Sequence, residues 1–565
     1  MPTKEVKTTF HNNESWWEVR INISEGKVSA MKQYSERFNN DKVFIDNEKE
    51  LLILDGIVLN KFEIIDNNNL DSLVSFCRLL LKNQELARQL IGPFTIFVYD
   101  KIAHLGYAFC NQTGDTAVFY SQKHPNGDVI ISNNFIRTNN FVDKTLDKYA
   151  CHQLLTYGFI VDERTINENV KRLRAGKMLQ ITEKGVIVDI YHRFKYHCPQ
   201  RISLTDAVEQ LDVIYRKAVT RCFEKDLEYG YSHHLVDISA GLDSRMVNWV
   251  AKDLGYENIV NISYSQSQSS ENKYATLLAN HLGNEYYHRN LDDAGFLFDI
   301  EEIVLEEFGL AYYCGITGGY QFLKLLNFDH LGLEHTGQIG DVVIGSFLKS
   351  QDNIINIDAK RTSALLPLKK GLLDHVACEC KSQEEFLMYS RAFQGALSTH
   401  YLRSHYTYAV SPFLDVELME FCASLPVELR GGHKLYWDWL DRRYPKAGRI
   451  PSSRVRTSNQ NLGGKIATLS GRVGGRLQRD FQKLKNKVGL SNRSAIANNM
   501  NPHDFWYQTN EQLRQFICNY YDEHISLLDA HKDLQADVRT LYFSPRCLDK
   551  LMAISLLATI KLFLK

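Results

Sequence analysis

The sequence predicts a strand-rich antiparallel first part, then an α/β part built on a parallel sheet, then a helical end. Three observations carry this. Before about residue 195, short apolar runs alternate with turn residues. Between about 200 and 350, apolar strands alternate with stretches of helical spacing. Beyond about 360 the apolar spacing is helical to the end.

Each element has its own signal. "VFIDNEKELLILDGIVLN" sets two apolar runs on either side of a polar turn. "GPFTIFVYDKIAHLGYAFCN" and "DTAVFYSQKHPNGDVIISNN" read as hairpins, the second turning at Asn126-Gly127. A helical stretch over about 70–90 interrupts them. In "HCPQRISLTDAVEQLDVIYRKAV" the period changes, with Ser203 and Thr205 as candidate helix N-caps. The strands "HLVDIS" and "NIVNISYS" then alternate with helices. No repeat or low-complexity segment is present.

A chain of 565 residues exceeds what one core usually supports. The expected division is 1–198, 199–450 and 451–565. With 44% apolar and 24% charged residues and a net charge of −1, the composition is that of an ordinary globular protein and singles out no partner. Eleven cysteines are scattered without a CxxC pair, the closest being Cys378 and Cys380, which predicts reduced thiols and neither a disulfide frame nor a zinc site. MPTKEVKTTF has no apolar core of a secretory signal, and the longest apolar run, Ile554 to Leu564, is too short to cross a bilayer. A soluble, cytoplasmic protein is expected.

Charge is uneven in one place. Residues 449–493 hold eleven basic side chains against one acid, Asp480. A solvated loop followed by a basic helix is one reading. An electrostatic dock for an anionic carrier, a membrane surface or RNA is the other.

The chemistry concentrates in "HHLVDISAGLDSRMVNWVAK". A short loop between a strand and a helix N-terminus aims backbone N–H groups outward, where the helix dipole also favours an anion. Gly241 permits close approach, and Ser239 and Ser244 add hydroxyl donors. Asp243 would repel a bare phosphate, so the loop suggests a polyphosphate carried with Mg²⁺; an ordinary polar turn is the plain alternative. No GxxxxGK[ST] is present, which argues against a Walker-type loop. A second loop, "HTGQIGDVVIGSF", sets Gly337, Gly340 and Gly345 around Asp341. Two carboxylates on two glycine-rich loops, Asp243 and Asp341, are what holding Mg²⁺ on the phosphates of ATP requires. "SPFLDVELMEFCASLP" then precedes "GGHKLYWDWL", which places Lys434 at a helix start, where it could neutralise charge on departing pyrophosphate.

SAGLDS, TGQIGD and PFLD followed by a lysine resemble, in order and spacing, the synthetase domain of the asparagine synthetase family. Upstream, "LDGIVLNK" resembles that family's NGEIYN strand, "IGPFTIFVYD" its GxFAFxxxD segment, and "NVKRLRAGKMLQI" its IxxLPPG hairpin. The resemblance spans residues 50–450. It implies a class II glutamine amidotransferase-like first domain (an N-terminal-nucleophile hydrolase β-sandwich flanked by helices) and a PP-loop, adenine nucleotide alpha hydrolase-like second domain. It also implies nucleotide contacts at Ser239, Gly241, Asp243, Ser244, Ser263, Gly337 and Gly340, with ATP and Mg²⁺ as cofactors. Ala240 stands where the family's first loop has a second glycine, and Val342 where its pyrophosphate motif has glutamate.

Two departures redirect the function. The terminal cysteine that glutamine-using members expose after Met1 is replaced by Pro2 and Thr3, and Asp55 stands where NGEIYN has its asparagine. No glutaminase activity is therefore expected. Gln338 occupies the slot that carries glutamate in asparagine synthetases and tyrosine in β-lactam synthetases. An amide takes no proton near neutral pH, and "SRAFQGALSTH" offers no backing acid. Gln338 is expected to orient a carboxylate or an amine. The reading is an ATP-dependent amide ligase that activates a carboxylate as its acyl-adenylate for attack by ammonia or an amine. A sugar acid or peptide carboxylate in surface-polysaccharide or peptide natural-product synthesis suits it. A lasso-type peptide macrocyclase and an inactive scaffold of the same fold are the alternatives.

Overall fold

The computed structural model describes residues 13–121, 128–196, 200–315, 317–348, 357–358, 372–451 and 499–565. Its first part contains two antiparallel sheets. One runs in the order β2 (Lys27–Gln33), β1 (Trp16–Asn22), β8 (Asp128–Ser132), β7 (Phe119–Ser121) and β9 (Val170–Arg172). The other runs β11 (Gly185–Ile190), β10 (Lys177–Thr182), β6 (Leu105–Cys110), β5 (Phe94–Asp100), β4 (Glu50–Gly56) and β3 (Val43–Asp46).

Side-chain alternation explains the layering. On β4, Leu51 and Ile53 face Trp17, Val19 and Ile131 of the first sheet, while Leu52 and Leu54 face helix residues Phe76 and Leu80. Both faces of β4 are therefore covered, and its sequence is a continuous apolar run instead of an alternating one. The expected hairpin partners β7 and β8 pair antiparallel, Phe119 opposite Ser132 and Tyr120 opposite Ile131. The expected turn at Asn126-Gly127 lies outside the described residues. So do Pro2 and Thr3.

The second part opens on a 25-residue helix, Leu204–Glu228, capped by Ser203, whose Oγ accepts the Asp206 N–H at 3.1 Å. Thr205 lies inside the helix and is not the cap. Five parallel strands follow in the order β14 (Glu285–Asn290), β13 (Ile259–Ser265), β12 (His233–Asp237), β15 (Leu331–His335) and β16 (Ala409–Val410). The chain winds outward from β12 to one side and then resumes on the other with β15. This reversal makes the carboxyl ends of β12 and β15 the point where an open α/β sheet leaves a crevice. Beneath them, the buried Asp226 carboxylate is hydrogen-bonded to His234 and to His335, each at 2.7 Å, and accepts the Leu333 N–H at 2.7 Å. One long helix thereby fixes both central strands.

The remaining described residues are mostly helical. One segment among them is irregular: a π-helical stretch, Met388–Gly395, continues through a tight turn into the helix Thr399–Arg403. Four helices, His503–Thr509, Glu511–His524, Lys532–Tyr542 and Cys547–Leu564, close the chain. Their core also contains Phe135, Leu154, Ile300 and Ile303, so they bind to both preceding parts. The apolar run 554–564 lies within the last of them, and among the described residues no helix is long and apolar enough to cross a membrane. The first two parts are tied directly: Arg37 donates to the carbonyls of Phe328, Leu331 and Gly332 at 2.7, 2.8 and 3.0 Å.

Candidate active site

SAGLDS follows β12 and TGQIGD follows β15, so the two loops emerge side by side at the crevice. Glycine is what lets them touch. A Cβ on Gly337 would lie 2.3 Å from the Ser244 nitrogen, and one on Gly340 would lie 2.9 Å from Asp243 Cβ. The backbone of the second loop thus rests on the first. Ile339 between these glycines has φ 54°, a left-handed conformation that costs a β-branched residue of order 1–3 kcal/mol.

The first loop is organised by its own hydroxyls. Ser244 Oγ accepts the Ser239 N–H at 3.0 Å and shares a 2.8 Å hydrogen bond with Ser239 Oγ, which in turn accepts the Gly241 N–H at 3.1 Å. The Ala240 N–H donates to Glu271 Oε2 at 2.8 Å. These loop N–H groups have the polarity that suits an anion. Asp243 begins the helix Asp243–Asp253 and accepts the Tyr436 hydroxyl at 3.0 Å. Burial first, then Asp243, pushes the Tyr436 phenol well above its usual range, with Asp341 adding to the shift. Both aspartates therefore act on one buried tyrosine.

Ser239, Gly241, Asp243, Ser244, Ser263, Gly337 and Gln338 all line one cleft of about 420 Å³. Ser263 is engaged by Tyr286 and by His288, both at 2.7 Å. Gln338 donates from Nε2 to Thr399 Oγ1 at 3.1 Å, and its Oε1 is buried without a hydrogen-bond partner. Lys434 opens the helix Lys434–Arg443 as the sequence predicts, directly after His433 at φ 60°. It is exposed, and neither it nor Gly340 nor Asp341 is among the residues that line the cleft. Val342, at the position of the family's glutamate, is packed in the main core.

Two residues within or next to these motifs are structural. Asp415 of PFLD caps the helix Val416–Ala423 and pairs with Arg221 at 2.7 Å. Arg245 is buried and donates to the carbonyls of Ala447, Ile450 and Pro451. The basic stretch 449–493 lies outside the described residues apart from 449–451. Resuming beyond it, the chain sets Met500 on the cleft rim, where its carbonyl accepts the Gln266 N–H at 3.3 Å.

Asp237, Tyr264 and Arg403 line the cleft without a sequence signal of function. Asp237, the last residue of β12, lies beside the buried Glu334 of β15, and Arg403 donates to Glu334 and, at 2.8 Å, to the Tyr264 hydroxyl. Arg403 also stands 3.5 Å from Asp237 Oδ2. Burial and then the neighbouring Glu334 push the Asp237 carboxyl well above the usual range, against the pull of Arg403.

A second, smaller pocket of about 90 Å³ lies between the first part and the helix Thr399–Arg403. Asp55 is buried there, accepting Ser15 Oγ at 2.6 Å and Asn133 Nδ2 at 2.8 Å. Burial raises its carboxyl despite these bonds and nearby Lys42. From the other wall, His400 Nδ1 meets Asp115 at 3.2 Å.

No family model matches the sequence, and no curated protein matches it. Among solved structures, the chain overlaps the allosteric regulatory enzyme of purine biosynthesis at 9% identity, over 49% of this chain and 75% of that one, with a TM-score of 0.22. It overlaps glutamine phosphoribosylpyrophosphate amidotransferase from B. subtilis, solved with ADP and GMP, at 10% identity over the same shares, with a TM-score of 0.20. Overlaps this loose assign neither family nor activity.

Proposed function

We propose that the chain is an ATP-dependent, AMP- and pyrophosphate-forming amide ligase. One observation carries the reading: two aspartate-bearing loops are stacked backbone on backbone at the switch point of a parallel sheet. Asp237, Asp243 and Glu271 line the same cleft, with Arg403 the one cationic side chain among its described lining residues. A polyphosphate would be repelled there without a divalent cation. Asp243 and Asp341 supply the hard oxygen donors that suit Mg²⁺. When bound, the ion neutralises phosphate charge and aligns the leaving pyrophosphate.

Ser239, Gly241 and Ser244 would hold the pyrophosphate oxygens, with Gly337 and Gly340 letting the second loop close onto the first and Ser263 lining the same cleft. A substrate carboxylate oxygen attacks the α-phosphorus, the bond to the β-phosphate oxygen breaks, and pyrophosphate leaves. Lys434 would stabilise charge growing on the departing group, and Gln338 would orient the incoming carboxylate or amine. Ammonia or an amine then displaces AMP.

Asp55 supports the absence of glutaminase chemistry. A carboxylate offers no N–H to a developing oxyanion and repels it. Sugar acids and peptide carboxylates remain the proposed acceptors, and an anionic carrier or membrane surface the proposed partner of residues 449–493. ATP–pyrophosphate exchange tests the reading across sugar acids, amino acids and short peptides. Exchange that depends on one acid is expected. Exchange confined to a peptide would favour the macrocyclase, and none with any acid would leave the inactive scaffold.

A further inference from the structure

The second half of such a reaction needs a proton acceptor, and Gln338 is not one. The cleft holds another candidate. Asp237 ends β12 with its side chain 21% exposed to the cleft, while Glu334 behind it is fully buried. Asp237 Oδ1 and Glu334 Oε2 are buried and have no donor partner, although the two carboxyls lie within hydrogen-bonding reach of each other. Like charges tolerate that arrangement when one proton is held between them. Arg403, paired with Glu334 and 3.5 Å from Asp237 Oδ2, offsets the pair's negative charge. Two carboxylates this close bind one proton more readily than either would alone, and the pair opens to the cleft through Asp237 alone.

We infer that Asp237 receives the amine substrate and takes its proton. The assignment rests on the ligase reading and adds the nucleophile's chemistry to it: ammonia or a primary amine, bound as the free base by an acceptor. The nitrogen lone pair forms the C–N bond at the acyl carbon. The bond from that carbon to the adenylate oxygen breaks, and AMP leaves with the electron pair. The proton lost by nitrogen passes to the Asp237 carboxylate, which the neighbouring Glu334 makes the stronger acceptor. A carboxyl held above the ordinary range is a better acceptor at neutral pH than an unperturbed one.

The test separates the two half-reactions, using Asp237→Asn in the full chain. ATP–pyrophosphate exchange reports activation of the acid. AMP release with ammonium chloride, and hydroxamate formation with hydroxylamine, report capture of the adenylate. Asp237→Asn is expected to retain exchange, which also shows an intact cleft, and to lose capture of either probe by about 10²-fold or more. Capture at the wild-type rate overturns the assignment, as does an equal fall in exchange and capture. Absence of exchange in the wild type with every acid overturns the ligase reading itself and the assignment with it.

Discussion

In the pocket of the first part, the buried carboxylate Asp55 is answered from within the chain by Ser15 and Asn133. In the cleft at β12 and β15, Asp237 lines a space large enough for a ligand, while its Oδ1 and Glu334 Oε2 are buried close together without a donor. The two regions carry similar polar side chains and differ in whether a buried carboxylate meets neutral donors or a second carboxylate. A self-satisfied network holds shape, and it offers little to a reacting molecule. An unsatisfied one costs stability and supplies binding.

That contrast can be broken most severely at the stacked loops. Asp243→Asn or Asp341→Asn should lower carboxylate-dependent exchange about 10³-fold with little change in melting temperature. Gly337→Ala should match that loss, because its Cβ would strike the Ser244 nitrogen; wild-type exchange in this variant would refute the stacking. Lys434→Ala comes next, at about 10²-fold in turnover if the lysine reaches the pyrophosphate. If it only faces solvent, turnover will not move.

The joint between the two regions gives a pH test. Burial, with Arg88 adding to it, holds His192 at about 4, against 6.5 in the unfolded chain. Between those values the unfolded chain takes up a proton that the folded one refuses, so stability falls as pH drops through that window. The loss approaches about 3 kcal/mol by pH 4, read from denaturant midpoints. His503, also held at about 4, contributes in the same direction, so His192→Gln should flatten the curve only in part. Least is expected at Asp55→Asn. It should cost about 1–3 kcal/mol by disturbing its two donors, without creating activity. Neither this variant nor the wild type should release glutamate from glutamine, and glutamate release would mean that a nucleophile exists.

The loops were legible in the sequence because their chemistry is local. Hydroxyls, glycines and a carboxylate crowd one turn, and the flanking strand and helix periods say which way the turn faces. The same holds for the double-sided apolar run of β4. Asp237 and Glu334 were not legible. A carboxylate at a strand end reads as solvated, and only the pairing of β12 with β15 puts the two together. The stretch "SRAFQGALSTH" does reach Gln338, through Thr399, but brings a hydroxyl there and no acid. Tyr436 was hidden for a different reason: its helical spacing marks it as core, and it is core, with only its hydroxyl turned to Asp243.

The segment Met388–Arg403 has a consequence for how the chain can be divided. Within five residues it sends Thr399 to Gln338, His400 to Asp115 of the first part, and Arg403 to Glu334. Arg37 of the first part in turn holds the carbonyls at the start of β15. The amino-terminal portion is therefore a retaining wall for the half that carries the cleft and not a detachable module. A chain begun at residue 199 would leave His400 and the approach to β15 without their supports, which gives evolution reason to keep that portion whether or not it has chemistry of its own.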